Sequence, residues 1–335
     1  MKSYTKSWLI GLVTLFLLFL AACGDEGETE STESTESTGE DNEATEAPAA
    51  DNETEEQGTR TITDAMGNEV EVPANPERVI GSYLEDYLVA LGIDPVAQWS
   101  VRDGEDVQDY LQDDLEGVPT IPSELPYEAV TSYDPDLILM DSASMVEDNK
   151  YDQYNKIAPT FVVGTEEKND WREKFQIIAE VFGMEEKAEE VLAEYDTKAE
   201  DAKEQIQASI GDESVAALWL FADTFYIVSE NLSSGDLLYN ELGLTTPSVV
   251  SEISETATAN WSEISLEKMA ELEADHIILV NSENGSSVLE DPIWQNIPAV
   301  QKDNIYEYDR SASWLYGGPI ANSQMIDDAI ESLVE

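Results

Sequence analysis

From residue 59 onward, short apolar runs alternate with longer stretches in which apolar residues recur every three or four positions. The first kind predicts buried strands and the second amphipathic helices, and their alternation predicts an α/β fold. Arg78–Gly81, Pro95–Trp99, Asp136–Met140 and Thr160–Val163 read as strands, and Glu85–Leu91 and Pro126–Ser132 as helices. Asn169 to Ser209 is helical in composition throughout, with Gly183 as its divide. Beyond Gly183, Met184, Ala188, Val191, Leu192, Tyr195, Ala199, Ala202 and Ile206 step by three and four and form one stripe. A helix of ~25 residues is about 37 Å long, enough to join two lobes as a stiff rod.

An internal repeat supports two lobes. Glu128-Ala-Val-Thr-Ser-Tyr-Asp-Pro-Asp-Leu-Ile-Leu-Met140 matches Glu267-Lys-Met-Ala-Glu-Leu-Glu-Ala-Asp-His-Ile-Ile-Leu279 at one offset, so Glu128 aligns with Glu267 and Asp136 with Asp275. Ile157-Ala-Pro159 and Ile297-Pro298 stand at nearly the same offset and read as a second match. The expected organisation is an N-terminal α/β lobe over 59–168, connecting helices over 169–210 and a C-terminal α/β lobe over 211–335.

The first 58 residues stand apart. Lys2 and Lys6 precede the apolar run Trp8–Leu20, which is shorter than the ~20 residues needed to span a bilayer. Leu20-Ala-Ala-Cys23 follows and resembles a bacterial lipoprotein lipobox, which implies a signal peptide over 1–22 and a lipid on Cys23. Residues 24–58 carry 14 acidic residues with no Lys, Arg or aromatic, the composition of a disordered leash. The full 335-residue chain has a formal charge of -57, and Thr59–Glu335 alone still carries about -45. Such a polyanion excludes nucleic acid as a partner and implies a strongly hydrated surface, suited to saline or alkaline surroundings. One Cys and one His exclude intrachain disulfides and multi-histidine metal sites.

Several segments carry a family resemblance. Thr59-Arg-Thr-Ile-Thr-Asp-Ala-Met-Gly-Asn-Glu-Val-Glu-Val-Pro-Ala-Asn-Pro-Glu-Arg-Val79, Tyr133-Asp-Pro-Asp-Leu-Ile138 and Ile157-Ala-Pro-Thr160 resemble the iron–siderophore branch of ABC-importer substrate-binding lipoproteins. Gly81-Ser-Tyr-Leu-Glu-Asp-Tyr-Leu-Val-Ala-Leu-Gly92 and Leu125-Pro-Tyr-Glu-Ala-Val130 are most similar to Bacillus-type ferric-hydroxamate-binding proteins. The resemblance implies two Rossmann-like lobes with central sheets, joined by a long rigid helix, and a ferric siderophore held between them. It implies a monomer on the outer face of the cell membrane, with Glu128 and Glu267 meeting arginines of the two permease subunits. It implies no catalytic residue, no metal ligand from the protein and no cofactor.

In open α/β sheets ligands bind beyond the C-terminal strand ends. That rule selects Tyr83, Trp99, Arg102 and Ser142, with Met145 nearby, in the first lobe. In the second lobe it selects Phe221 with Trp219, then Tyr226, Trp261 ahead of a helix, and Trp314 and Tyr316 beside Gly-Gly-Pro. Related hydroxamate binders often carry an Arg just after the Tyr226 segment; Ser229–Gly235 has none, which leaves Asn231 or Ser234 as substitutes. A ferric tris-catecholate is trianionic, so the scarcity of arginine favours a neutral or singly positive ferric hydroxamate, ferrioxamine-like first, with Arg102 as a hydrogen-bond donor. Two alternatives stand beside this reading. One is a binder of haem or another iron chelate; haem wants an axial His, Met, Cys or Tyr, and Tyr and Met keep it open. A surface hydrolase finds no Gly-x-Ser-x-Gly, and His276 sits within an apolar strand.

Overall fold

The computed structural model describes residues 58–334 apart from 105, 166–169 and 284. The leader, Cys23 and the acidic segment to residue 57 lie outside the described residues. Among the described residues no helix is long and apolar enough to cross a membrane.

The first lobe opens with an antiparallel hairpin, β1 (Thr59–Thr63) and β2 (Glu69–Pro73). There follow β3 (Val79–Ser82), α1 (Glu85–Leu91), β4 (Gln98–Ser100), the short α2 (Gln112–Leu115), β5 (Thr120–Pro122) and α3 (Tyr127–Ser132). The lobe continues with β6 (Leu137–Ser142), α4 (Lys150–Tyr154) and β7 (Thr160–Gly164). Strands pair in parallel in the order β3-β6-β7, and a bridge from Ile80 to Ala97 brings the parallel pair β4-β5 alongside β3. In the second lobe β8 (Val215–Phe221), β9 (Thr224–Val228), α7 (Ser248–Ser254), β10 (Trp261–Ile264), α8 (Leu266–Met269) and β11 (His276–Asn281) come in turn. α9 (Pro292–Gln295), α10 (Pro298–Lys302), β12 (Ile305–Asp309) and α11 (Pro319–Val334) complete the chain. Its sheet runs β10-β9-β8-β11-β12, with β8, β11 and β12 parallel. β6, β8 and β11 are buried on both faces, so they read as unbroken apolar runs rather than as alternation.

Between the lobes stand α5 (Trp171–Phe182) and α6 (Glu185–Ile210), and Gly183 ends α5 with a φ of 66° that a residue bearing Cβ rarely adopts. The Arg60 guanidinium closes the same helix end on the carbonyls of Glu180 and Val181. α5 packs Phe175, Ile178, Ala179 and Val181 into the first core, and its first two residues, Trp171 and Arg172, also reach the second lobe. α6 bridges the two cores. Ala188, Val191 and Leu192 pack on the first core, whereas Tyr195, Ala199, Ala202 and Ile206 pack in the second.

The repeat has a structural basis. Asp136 accepts from the N–H groups of Glu77 and Arg78 at 2.8 and 3.0 Å, and so ties the start of β6 to the start of β3. Asp275 accepts from the Ser214 N–H and Oγ, both at 3.1 Å, and ties β11 to β8 in the same way. The second proposed match fails. Pro159 immediately precedes strand β7, whereas Pro298 is the first residue of helix α10, so the two prolines are not equivalent. Trp261 likewise begins edge strand β10 and reaches α8 only after it.

Asp136→Ala and Asp275→Ala should each lower unfolding free energy by about 1–3 kcal/mol, because each removes two hydrogen bonds that tie one strand start to another, and Asp275→Ala removes the Lys302 ion pair as well. Losses within about 0.5 kcal/mol in denaturant titration, the range of an ordinary surface change, would remove this account of the repeat.

Candidate functional site

The C-terminal ends of the parallel strands of both lobes meet at one cleft. β3 delivers Tyr83, β4 leads to Arg102, β6 ends at Asp141–Ser142, β8 at Phe221, β11 at Asn281–Ser282 and β12 at Asp309–Arg310. Tyr83 (φ 67°), Arg102 (φ 51°), Ala222 (φ 51°), Asp223 (φ 56°) and Ser233 (φ 51°) all lie in loops around it in the left-handed region. Such conformations cost of order 1–3 kcal/mol each and gather at functional sites.

Two cavities occupy the cleft. The first, about 400 Å³, is lined from the first lobe by Tyr83, Tyr87 and Asp141, from the start of α5 by Trp171, Arg172 and Lys174, and from the second lobe by Asn231, Asp236 and Tyr316. The second, about 300 Å³, is lined by Arg102, Asp106, Asp109, Ser282, Asp309 and Arg310 among others. Tyr83 is 40% exposed, with its ring 5.3 Å from Trp99 and 6.0 Å from Tyr316 of the other lobe. Tyr110 adds a third ring, 5.4 Å from Tyr316.

Every cation lining these cavities is engaged by a carboxylate. Arg172 lies 2.5 Å from Glu241 and 3.3 Å from Asp196, and its guanidinium covers the rings of Trp171 and Tyr195. Lys174 lies 2.5 Å from Asp141. Arg102 and Arg310, one from each lobe, share Asp106, and these bonds hold the Asp106 carboxyl below the ordinary range, Arg102 having the largest effect. The linings are nonetheless net acidic. Asp141, Asp170 and Asp236 stand against Arg172 and Lys174 in the first cavity. Asp106, Asp109, Glu283 and Asp309 stand against Arg102 and Arg310 in the second.

The tyrosine hydroxyls keep their protons. Desolvation pushes those of Tyr83 and Tyr110 above the ordinary phenol range and that of Tyr316 up to about 12; neighbouring Asp141 and Glu85 add to it at Tyr83, and Asp86 at Tyr110.

Of the other residues expected at the site, Trp219 forms an aromatic shelf with Phe221 (5.4 Å, stacked), Tyr226 (5.2 Å) and Trp261 (6.3 Å) at the end of the second sheet. Phe221 is its exposed member, and the Trp219 indole N–H donates to Ser282 of the second cavity. Ser142 is half-buried and bonded to Ser144, while its neighbour Asp141 lines the first cavity. Asn231 lines that cavity too; Ser234 is buried outside the lining. Trp314 is a correction. It is fully buried in a short turn, packs on Tyr308 and donates its indole N–H to Asp328 at 2.8 Å, which makes it core and leaves Tyr316 as the cleft aromatic of that loop. Arg172 is not among the residues the strand-end rule selects, yet it lines the first cavity together with Lys174. The strand-end rule is silent on helix starts; the aromatic–basic pair Trp171–Arg172 at the beginning of α5 was the available signal.

Two adjacent carboxyls lie beneath this site. Glu85, fully buried, accepts the Trp99 N–H at 2.6 Å, and burial raises it to about 8. Burial raises Asp86 to about 7 and, beneath Trp314, Asp328 to about 6.

The model of the periplasmic binding protein family matches residues 82–312. The Bacillus subtilis (strain 168) protein named "Probable siderophore-binding lipoprotein YfiY" is 26% identical over 295 residues, 84% of this chain and 89% of its own. The iron(3+)-hydroxamate-binding protein FhuD of the same strain is 28% identical over 291 residues, again 84% and 89%. Among solved structures, a FhuD fold-family periplasmic binding protein component of a Fep/Fec-like ferrichrome ABC transporter from Bacillus subtilis superimposes with a TM-score of 0.71 at 26% identity, covering 82% of this chain and 100% of that one.

The raised carboxyls fix a direction for the pH dependence of stability. An unfolded chain ionises them near pH 4, so between about pH 4 and 8 the folded chain holds protons that the unfolded chain has released. Their contribution is complete below pH 4 and is lost as pH rises through about 6, 7 and 8. Melting temperature should therefore fall from pH 5 to 8.5, and Glu85→Gln, which mimics the protonated group, should flatten that slope. An equal slope in wild type and variant would contradict a buried, protonated Glu85.

Proposed function

The chain belongs to the periplasmic binding protein family, and we propose that it captures a ferric siderophore, a hydroxamate of the ferrioxamine kind, in the cleft between its lobes for delivery to an ABC importer. The observation that carries this reading is the pairing of every lining cation with a carboxylate in a net acidic, aromatic-walled cleft. A trianionic tris-catecholate entering there finds no uncommitted positive charge, and an uncompensated buried charge is very costly. A neutral or singly positive hydroxamate complex suits the Tyr83, Trp99, Tyr316 and Phe221 faces and the surrounding carboxylates. The relatives named for siderophore and iron(3+)-hydroxamate binding point the same way.

Iron stays wrapped in its siderophore in this reading, and no side chain of the cleft is assigned to its coordination shell. No catalytic step is assigned. His276 opens β11 at the end remote from the cleft and is engaged by Glu213 and Tyr306. Delivery uses Glu128 and Glu267, each exposed and each the second residue of its short helix, α3 and α8, as contacts to arginines of the permease. Cys23 carries the lipid that keeps the monomer at the outer membrane face.

Titration of intrinsic Trp fluorescence should show saturable binding of a ferric hydroxamate and much weaker binding of a ferric tris-catecholate; tighter binding of the catecholate overturns the charge argument. Double charge reversal, Glu128→Lys with Glu267→Lys, should abolish siderophore-dependent iron uptake and leave ligand affinity intact. Uptake that survives the double reversal refutes the docking assignment.

A further inference from the structure

The lobes are joined a second time, at a contact that chain connectivity does not demand. α11 ends the chain against α6 in the second core, yet its first turn points at α1 of the first lobe. There the N–H groups of Ile320 and Ala321 donate to the two oxygens of Asp86, at 2.9 and 2.8 Å. These are helix-start donors that no carbonyl of their own helix can satisfy, and a carboxylate also suits the positive end of the helix dipole. Asp86 is 1% exposed and also takes the Tyr110 hydroxyl as a donor. Gly318 permits the approach. A Cβ there would overlap the Asp86 carboxyl, and its φ of +143° is one that few other residues adopt.

Three residues before Asp86 stands Tyr83, and two residues before Gly318 stands Tyr316, the facing rings of the cleft edge. The same contact fixes both. We propose that Asp86 is a positioning residue that latches α11 to α1 and thereby sets how closely the Tyr83 and Tyr316 edges stand, so that neutralising its carboxylate loosens ligand retention. This rests on the reading that the cleft holds the ligand.

The latch is charge-dependent by construction. Each carboxylate oxygen accepts one backbone N–H, and a proton on either removes both the charge and an acceptor site. The titratable groups facing Asp86 are Glu85 and Tyr87 on α1 and Tyr110 from the turn before α2. The first turn of α11 carries no acid. Burial places the Asp86 proton at about 7, within reach of an ordinary pH series.

Hydrogen exchange at the Ile320 and Ala321 amides of the ligand-free full chain tests the latch directly. The two N–H donors favour the charged form of a carboxyl that stays buried when they part, so wild-type protection, corrected for intrinsic rates, should fall as pH drops through about 7. Asp86→Asn should exchange at least about tenfold faster at pH 8 and show no such transition, one pKa unit of coupling being a factor of ten. Glu85→Gln should retain the transition, which separates the two neighbouring acids. With ferrioxamine B as probe, wild-type Kd should rise about tenfold from pH 8.5 to 6, whereas Asp86→Asn binds weakly and evenly at every pH. Gly318→Ala, which keeps the carboxylate and displaces the helix, should reproduce the weak binding. Unchanged protection in Asp86→Asn, or a transition that persists in it, overturns the latch. Lost protection with unchanged affinity overturns its control of the cleft. If ferrioxamine B does not bind wild type at all, the ligand reading falls and amide exchange alone decides the latch.

Discussion

One helix buries a single apolar stripe in two separate cores, and the two-lobed molecule depends on it. α6 gives Ala188, Val191 and Leu192 to the first core and Tyr195, Ala199, Ala202 and Ile206 to the second. Its 26 residues span about 39 Å at 1.5 Å per residue, and a packed helix of that length bends little. Neither lobe can swing far without pulling its part of the stripe out of a close-packed interior. Trp171, at the start of α5, packs against both cores and stiffens the junction further. Motion between the lobes is therefore confined to small adjustments, and the contacts at the cleft edge decide where within that range the molecule rests.

Charge works at two scales. Over the whole surface the excess of acid keeps the protein hydrated and repels anions on approach. Inside the cleft the few basic groups serve structure. Asp106 gathers an arginine from each lobe, and Arg172 ties α5 to Glu241 of the second lobe. A partly buried cation so committed, as Lys174, Arg172 and Arg310 are, is costly to redirect toward a ligand, because the carboxylate left behind loses its partner. The charge a ligand would meet thus depends on which groups are already spoken for, beyond which residue types are present.

The fold was legible because doubly covered parallel strands leave unmistakable apolar runs, and because Asp136 and Asp275 do the same job at the same place in each lobe. A chance proline pairing was not distinguishable from that repeat by offset alone; only the switch from strand at Pro159 to helix at Pro298 separates them. Of the residues picked from strand ends, Tyr83, Arg102 and Tyr316 line the two cavities, whereas Trp99 lines neither and stands against the Tyr83 ring. Trp314 was not legible as core. Its partner Asp328 lies 14 residues on, within α11, and a buried indole and an exposed one look alike beside Gly-Gly-Pro. Asp86 gave no signal among 73 acidic residues, since its role depends on a helix that begins more than two hundred residues later.

The same pair of acids explains why a Rossmann-like lobe need not bind a nucleotide. In dinucleotide-binding folds the turn after the first strand is glycine-rich, and the helix that follows offers its free N–H groups to a phosphate. Here the equivalent turn, Tyr83–Leu84 after β3, leads into α1 with Glu85 and Asp86 in its first turn, both buried. An anion approaching that helix start meets two carboxyl groups. Those carboxyls are turned to other tasks, Glu85 on the Trp99 N–H of β4 and Asp86 on the start of α11. A position that elsewhere recognises phosphate is spent here on holding one wall of the cleft and on joining one lobe to the other.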